Sequence, residues 1–294
     1  MLKKKIIYVS ALLVILLVIN TILYFYLAGL EKRKTAWQAL EVKIKKELNT
    51  FHGQAGIIVK DLNYNWQIGI NQEELFPSAS LIKIPIMAAC FYAIDEGRLR
   101  LEEKLPLKGK DKALGSGILK DTSVGREFSI RELIELMISE SDNTATNMLI
   151  DCLGFDYLNN CFKRLRLKST NISRRMMDLK SRREGKENFT TAVDLANILE
   201  DIYRQRLINR TYSQMCLEFL KKQKIRDRIP ARLPPDTKVA HKTGLENSIC
   251  HDAGIVFGPG GNFLICILTK HNNKTAKSAK EFISRIALEA YNCY

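Results

Sequence analysis

The sequence predicts an α/β (α+β) domain in which an antiparallel sheet is flanked by helices and interrupted by an all-α lobe. Strand-like runs and helical periodicity alternate near both ends of the chain. The strand-like runs are 56–60, 66–70, 253–257 and 263–270. The helical segments are 36–48, 79–96 and 276–290. The stretch from about 98 to 201 reads as helices and loops, so the chain is expected to leave the sheet, build the α lobe and return.

Composition is that of a globular protein that can build a large core. The 294 residues are 46% apolar and 27% charged, which excludes a disordered or low-complexity chain. The formal net charge of +14 fits either attraction to an anionic surface or a solvated basic face. No zinc-finger or RNP-type spacing accompanies the charge, so no nucleic-acid partner is expected. We expect a monomer.

Cysteine and histidine give no sign of a disulfide framework or a metal site. The seven cysteines are odd in number and include no Cys-x-x-Cys pair. Most lie in apolar runs, where a thiol acts as a small buried hydrophobe. The four histidines have no metal-ligand spacing either. The sequence therefore predicts no metal and no cofactor.

The N-terminal segment predicts a membrane anchor. Three lysines precede an apolar run over residues 6–30, which spans roughly 37 Å as a helix and is long enough to cross a bilayer. The run is longer than the apolar core of a cleaved signal peptide and lacks a clear exit site, which favours an uncleaved signal anchor over a removed signal peptide. Basic residues also follow the run, at 32–34, so charge alone does not set the orientation.

The domain organisation expected from these features has four parts. They are a cytoplasmic tail (1–5), a transmembrane signal anchor (6–30), a linker with the start of the first helix (31–45) and a catalytic domain (46–294) with its α lobe at about 98–201. The catalytic domain is expected outside the cytoplasm, on the grounds of the chemistry described next.

Ser80 and Lys83 form a Ser-x-x-Lys motif at the start of a predicted helix. Residues three apart on a helix share a face, so the hydroxyl and the amine can meet. A serine hydroxyl becomes a good nucleophile when a desolvated lysine with a lowered pKa takes its proton. Taken alone, the tetrapeptide is weak, because chance supplies about one match in a chain of this length.

Two further motifs strengthen the prediction. Ser141-Asp142-Asn143 follows an amphipathic segment, and Lys242-Thr243-Gly244 immediately precedes a predicted strand pair. The trio in this order is the signature of class A β-lactamases and penicillin-binding proteins. From about Leu40 onward the chain resembles the class A β-lactamase-like serine hydrolases, which are penicillin-recognising serine enzymes. The resemblance implies their serine β-lactamase/DD-peptidase-like fold.

The resemblance also implies a role for each motif residue. Ser80 is implied to be the acylated nucleophile, Lys83 its proton acceptor, Ser141 the relay to the leaving nitrogen and Lys242 the group that lowers the pKa of Ser141. The substrate-binding residues implied are Asn143 for the substrate amide, Thr243 with Gly244 for the carboxylate side of the site, and Leu245. The backbone N–H groups of Ser80 and Leu245 are implied to form the oxyanion hole.

Two departures from the family pattern affect the expected activity. The Glu-x-x-Leu-Asn that primes the hydrolytic water in class A enzymes does not occur in residues 174–188, where Asp178, Glu184 and Glu187 are substitutes or ordinary loop carboxylates. Acylation is therefore expected to outrun deacylation. His251 stands where many class A enzymes carry an arginine, and could bind the substrate carboxylate when protonated or instead be hydrogen-bonded within the sheet rim.

Three functions remain compatible with the sequence. The first is a β-lactamase-like serine hydrolase acting on β-lactams. The second is a D-Ala-D-Ala carboxypeptidase or other cell-wall serine hydrolase, acting on a peptidoglycan-derived peptide. The third is a membrane-tethered β-lactam sensor that is acylated without turnover.

Overall fold

The computed structural model describes residues 2–273 and 275–294 and has the predicted α+β architecture. Its main sheet is antiparallel, with five strands in the order β2-β1-β9-β8-β7. The strands are β1 (Gly53–Asp61), β2 (Gln67–Ile70), β3 (Phe76–Pro77), β4 (Lys104–Pro106), β5 (Glu127–Ser129), β6 (Phe189–Thr190), β7 (Lys238–Glu246), β8 (Ile249–Gly258) and β9 (Gly261–His271). The predicted runs at both ends of the chain thus pair into one sheet.

Helices cover both faces of this sheet. They are α1 (Leu2–Thr50), α2 (Lys83–Asp95), α3 (Ile130–Ser139), α4 (Asn143–Leu153), α5 (Phe155–Arg164), α6 (Leu179–Arg183), α7 (Ala192–Tyr203), α8 (Arg210–Lys221) and α9 (Lys277–Tyr291). Short 3₁₀ helices lie at Ala79–Ile82, Gly109–Asp111, Leu119–Asp121 and Ile229–Arg232.

The sheet separates two apolar cores. Along β1, Ile57 and Val59 pack with Phe282 of α9 on one face, whereas Ile58 packs with the helical lobe on the other. All four side chains are fully buried. Burial of each stabilises the fold by about 1.5–3 kcal/mol, so the alternation along the strand fixes which face meets which layer.

The start of the second helix is irregular, as its proline predicts. A 3₁₀ turn over Ala79–Ile82 precedes α2, and Pro85 lies in the first turn of α2, where a missing backbone N–H costs little. Gly97 follows the helix with φ +71°, a conformation that suits glycine. Ser80 therefore lies in the 3₁₀ turn, and Lys83 is the first residue of α2.

The helical region of the structure continues past the predicted lobe. Helix α8 was absent from the sequence prediction, which placed the end of the lobe near residue 201. Its side chains Cys216, Phe219 and Leu220 are buried at helical spacing, and Asn209 caps its first turn by accepting from the Tyr212 N–H at 2.9 Å. The polar residues between these positions weaken the periodicity, which explains why the helix was missed.

Helix α1 joins the N-terminal apolar segment to the catalytic domain without a break. In the described part of the chain it is long and apolar enough to cross a membrane, and its large apolar side chains from Leu12 to Leu27 are exposed on the protein. Further along, Trp37, Leu40 and Ile44 are buried in the core beside α9. Packing of the folded domain therefore begins before residue 46, inside the stretch expected to be a linker.

Cysteine side chains behave as small apolar groups in this fold. Cys90 and Cys266 are buried free thiols, as their apolar surroundings predicted. Burial raises the pKa of both thiols above its ordinary value, so neither forms a thiolate readily.

Candidate active site

The three sequence motifs meet at one place, although the chain separates them by many residues. Ser80 and Lys83 come from the start of α2, Ser141 from the junction of α3 and α4, and Lys242 from strand β7. Because β7 is the edge strand of the sheet, one side of its backbone remains open beside these groups.

Lys83 is the centre of this cluster. Its Nζ donates to Ser141 O at 2.7 Å, to Asn143 Oδ1 at 2.8 Å and to Ser141 Oγ at 3.1 Å. The Nζ also lies 3.2 Å from Ser80 Oγ, within hydrogen-bond distance. A neutral Lys83 can therefore accept the Ser80 proton without any movement of the backbone.

Burial changes the acidity of this amine. The side chain of Lys83 is fully buried, and loss of water lowers its pKa to about 7, against the weaker opposing effects of Asp142 and Glu246. The free-base form of Lys83 is therefore far more accessible near neutral pH than that of an exposed lysine.

Lys242 approaches the same serine from the other side. Its Nζ donates to Ser141 Oγ and to Thr243 O, both at 2.9 Å. Burial lowers the pKa of Lys242 well below its ordinary value, and the charges of Lys83 and Arg228 lower it further. Two amines thus share one hydroxyl, and the charge of Lys83 disfavours the charged form of Lys242.

The turn that presents Ser141 is held in a strained conformation by its neighbour. Ser141 has φ +55°, which costs an ordinary residue about 1–3 kcal/mol. The Asp142 carboxylate accepts from the backbone N–H of Ala145 at 2.8 Å, of Ile118 at 2.7 Å and of Leu119 at 2.8 Å. It therefore caps α4 and also holds the loop that leads into the 3₁₀ turn Leu119–Asp121, which supports the strained turn at Ser141.

Strand β7 passes close to Ser80, the predicted nucleophile, because of a glycine. A Cβ at Gly244 would lie 3.3 Å from the Cβ of Ala79, the residue before Ser80. Ala79 itself has φ +44°, a second strained position beside the nucleophile. Thr243 is buried, and Leu245 is half exposed at the edge of the sheet. Strand β7 contacts the 3₁₀ turn that carries Ser80, so the predicted oxyanion donors Ser80 and Leu245 lie on facing segments.

The His251 side chain is hydrogen-bonded within the sheet rim, which is one of the two interpretations that the sequence allowed. Its Nδ1 accepts from the Thr269 N–H at 3.0 Å, so its Nε2 carries the proton and donates to Pro77 O at 2.9 Å. Burial lowers the pKa of His251 to about 4. The ring is thus a neutral part of the sheet rim, and it does not present a cation to a substrate.

The loop carboxylates considered as hydrolytic bases have structural roles or face away from the cluster. Asp178 caps α6 by accepting from the backbone N–H of Ser181 at 3.0 Å and from its hydroxyl at 2.7 Å. Glu184 is exposed. Glu187 forms an ion pair with Arg174 at 2.6 Å. None of the three hydrogen-bonds Lys83 or Ser80 in the described residues.

A cluster of four charges, here called the loop clasp, joins this loop to the end of β7. Arg174 and Arg182 pair with Glu187 at 2.6 and 2.9 Å. Both also pair with Glu246, at 3.4 and 2.9 Å. Glu246 directly follows Leu245, so the clasp holds the loop beside the predicted oxyanion donor.

Comparison with known proteins agrees with this geometry. The model of the β-lactamase enzyme family matches residues 39–294. The chain belongs to the β-lactamase enzyme family. It is 26% identical over 275 residues to β-lactamase VEB-1 of Pseudomonas aeruginosa, covering 87% of this chain and 90% of that one.

Solved structures confirm the predicted fold of this β-lactamase-family chain. The structure of PBP-A is similar with a TM-score of 0.80 and 30% identity, covering 86% of this chain and 95% of PBP-A. An acyl-enzyme complex of a PBP-A variant with penicillin G is similar with the same TM-score and 29% identity, covering 87% and 96%.

Asn147 is a site residue that the sequence prediction missed. Its side chain accepts from the Met176 N–H at 2.8 Å and donates to Met176 O at 3.2 Å, which holds the loop against α4. The signal was present, because Asn143 and Asn147 are four apart and share a face of α4. The loop residue that Asn147 holds in this β-lactamase-family member is Met176, whose side chain carries no charge.

Arg228 is a second residue that was missed. Its side chain is 2% exposed, and its Nε donates to Cys250 Sγ at 3.2 Å. Its charge lowers the pKa of Lys242 and of His251, which places a fixed cation behind β7. Arg228 lies in a polar, irregular stretch of the sequence, so no periodicity or motif drew attention to it.

Proposed function

We propose that this protein is an acyl-serine hydrolase that opens β-lactams with Ser80 as nucleophile and releases the acyl group slowly. The observation that carries the proposal is the buried Lys83 amine, 3.2 Å from Ser80 Oγ and with its pKa lowered to about 7. A nucleophile and a base within hydrogen-bond distance are what covalent catalysis at a serine requires.

The proposed acylation conserves protons within the cluster. Ser80 Oγ attacks the lactam carbonyl carbon while its proton passes to neutral Lys83. The ring C–N bond then breaks as Ser141 Oγ gives its proton to the leaving nitrogen, and Lys83 returns a proton to Ser141. The 3.1 Å separation of Lys83 Nζ and Ser141 Oγ supports this last transfer.

Backbone and charged groups complete the proposed site. The N–H groups of Ser80 and Leu245 stabilise the developing oxyanion, a contribution of about 2.7–4 kcal/mol for each donor in comparable sites. Thr243 and the charge of Arg228 attract the substrate carboxylate, since burial disfavours the charged forms of both Lys242 and His251. Asn143 holds the substrate amide while its Oδ1 fixes Lys83.

Slow deacylation follows from the loop. In the described residues no carboxylate is hydrogen-bonded to Lys83 or Ser80, so no side chain of that type is positioned to activate water for attack on the ester. The acyl-enzyme complex of the related PBP-A variant with penicillin G is a precedent for a penicillin adduct on this fold.

A D-Ala-D-Ala carboxypeptidase is the second candidate. A peptidase of this kind shares its acylation machinery with a protein that β-lactams acylate. In the described residues no carboxylate is hydrogen-bonded to that machinery to support β-lactam turnover, which favours the peptidase. A tethered sensor would share the acylation step and differ by having no turnover.

We place the enzyme at a membrane. The apolar part of α1 is proposed to span the bilayer as an uncleaved anchor, with residues 1–5 on the cytoplasmic side and the catalytic domain outside, where cell-wall peptides and β-lactams are met.

Intact-mass spectrometry over time after mixing with penicillin G tests the proposal. We expect one adduct per chain that decays over minutes or longer, and no adduct on Ser80→Ala. Equal labelling of Ser80→Ala would disprove the assignment. Rapid decay with sustained nitrocefin hydrolysis would show an efficient β-lactamase, whereas release of D-Ala from a D-Ala-D-Ala peptide would identify the peptidase.

A further inference from the structure

We infer that one end of the catalytic domain is seated on the lipid headgroup layer and held there by helix α1. The inference depends on the membrane span proposed above, and it is independent of the acyl-serine chemistry. The end in question, here called the basal end, consists of the β1–β2 loop, the β8–β9 turn and the last residues of the chain.

Helix α1 gives the domain no freedom to move away from the bilayer. The helix is continuous over Leu2–Thr50, and its sequence contains no glycine or proline after Gly29. It enters the core at Trp37, which is 6% exposed, and at Leu40 and Ile44, which are fully buried. A span that ends near residue 30 is therefore joined to the domain by about two turns of unbroken helix.

Arg33 fastens the helix to the basal end at the depth of the headgroups. Its Nη2 donates to Gly260 O at 2.9 Å, and its guanidinium lies 5.5 Å from the Tyr64 ring centre and 5.7 Å from that of Tyr294. At 1.5 Å per residue, Arg33 lies about 4–5 Å beyond Leu30. The polar layer on each side of a bilayer is about 5–8 Å thick, so these contacts fall within it.

The side chains around Arg33 are of the kind that favours this layer. Tyr64 stacks on Trp66 with ring centres 4.9 Å apart, and Trp66 lies 6.4 Å from Trp37. Tyr64, Trp66 and Tyr294 are all partly exposed. Tyrosine and tryptophan are enriched where a protein meets lipid headgroups, because one end of each ring is apolar and the other can stay hydrated.

The buried partners of these rings make the basal end rigid. Tyr294 Oη donates to Asp61 Oδ2 at 2.7 Å, and Asp61 Oδ1 accepts from the Tyr64 N–H at 2.6 Å. Strand geometry then sets the position of the active site. Lys242 pairs with Ala253, five residues along β8 from Gly258, so the site lies about 17 Å along the sheet from the lipid-facing turn.

Tryptophan fluorescence tests the inference directly, since Trp37 and Trp66 are the two tryptophans of the chain. The full chain carrying Trp37→Phe, in which Trp66 reports, is placed in phosphatidylcholine–phosphatidylglycerol vesicles with a spin label near the headgroup or deep in the acyl chain. We expect the shallow label to quench Trp66 at least threefold more than the deep label. The unmodified chain is measured alongside, in case Trp37→Phe does not fold.

Two controls separate the parts of the inference. Vesicle flotation shows whether the chain is anchored, and circular dichroism with a cooperative thermal transition shows whether the domain is folded. Folded chains that float while Trp66 is not quenched by the shallow label would overturn the seating, whether or not penicillin labels them. Arg33→Ala should at least halve the quenching, whereas Lys32→Ala, which removes the same charge from an exposed position, should leave it unchanged. Equal quenching in both variants would overturn the role of Arg33.

Discussion

The fold keeps water away from the Lys83 amine while giving it four oxygen neighbours. Burial lowers the pKa of Lys83 to about 7, against the weaker opposing charges of Asp142 and Glu246. This balance suits the role proposed for Lys83, which is to accept a proton from Ser80 and return one through Ser141 near neutral pH.

The acylation rate should therefore depend on pH through Lys83. Below pH 7 the amine is protonated and cannot accept the Ser80 proton, so the second-order rate constant should fall about tenfold for each pH unit and level off above pH 8. Stopped-flow acylation with a chromogenic cephalosporin between pH 5 and 9 measures this. Lys83→Arg, which keeps a charge but cannot lose it, should not be acylated. A rate constant independent of pH would contradict the assignment.

His251 should make the folded state less stable in acid. Its pKa is lowered to about 4 by burial, whereas an unfolded chain protonates it near 6.5. Between those values the unfolded state binds more protons, so the free energy of unfolding decreases as the pH falls from 6.5 to 4. The full loss is on the order of 3 kcal/mol.

Urea unfolding of the full chain in detergent at several pH values measures this effect. His251→Gln should lower stability at pH 7 and flatten the dependence between pH 6.5 and 4. His52→Gln, a change at an exposed histidine, is the matched control and should leave the slope as it is. An equal slope in wild type and His251→Gln would show that another group is responsible.

At the scale of elements, the loop that contains Gly117 packs against the turn carrying Ser141, and the two are expected to act as one unit. This glycine has φ +107°, and a Cβ there would lie 2.3 Å from the Asp142 carboxylate and 2.5 Å from its Cα. Gly117→Ala should therefore displace Asp142 and with it Ser141. Acylation by penicillin should fall at least tenfold.

Gly125 provides the comparison for that variant. It also has positive φ, at +88°, but its Cβ would meet open space. Gly125→Ala should cost about 1–2 kcal/mol from the backbone alone and leave acylation unchanged. Gly117→Ala should cost clearly more in thermal unfolding. If the two variants lose the same stability and keep the same acylation rate, Asp142 does not position the turn.

The loop clasp should control how often the loop opens. Arg174 is 3% exposed and depends on Glu187 and Glu246 for its charge partners. Glu187→Gln removes one of them, and breaking a buried ion pair costs about 3–5 kcal/mol. The basic residues of the loop are trypsin sites, so limited proteolysis should cut Glu187→Gln at least tenfold faster. Glu184→Gln, an exposed change on the same loop, should be cut at the wild-type rate.

Sequence periodicity predicted the elements that lie in the sheet better than those at its rim. Strands β1, β8 and β9 contain apolar runs because both faces of the sheet are buried, and these runs indicated strands in the sequence. Ser80, Lys83 and Ser141 were found because their chemistry requires fixed spacing. Arg228 and Asn147 were not singled out, since their positions follow from packing between segments that are distant in sequence.

For the molecule as a whole, the boundary between anchor and domain is set by burial and differs from the expected start at residue 46. Trp37, Leu40 and Ile44 pack against α9 and the sheet, and burial of each contributes about 1.5–3 kcal/mol. Removing residues 1–45 should therefore cost roughly 5–9 kcal/mol, comparable with the whole stability of an ordinary domain.

Two truncated chains test this boundary. A chain that starts at Glu31 loses the spanning segment but keeps Arg33 and the three core residues, so it should be water-soluble, unfold cooperatively and be acylated by penicillin at the full-length rate. A chain that starts at Lys46 should aggregate or unfold below about 37 °C, because its sheet loses one covering helix on the α9 side. Circular dichroism melting and intact-mass labelling compare the two. Equal melting temperatures would mean that residues 31–45 of α1, including Trp37, Leu40 and Ile44, contribute nothing to the stability of the folded domain.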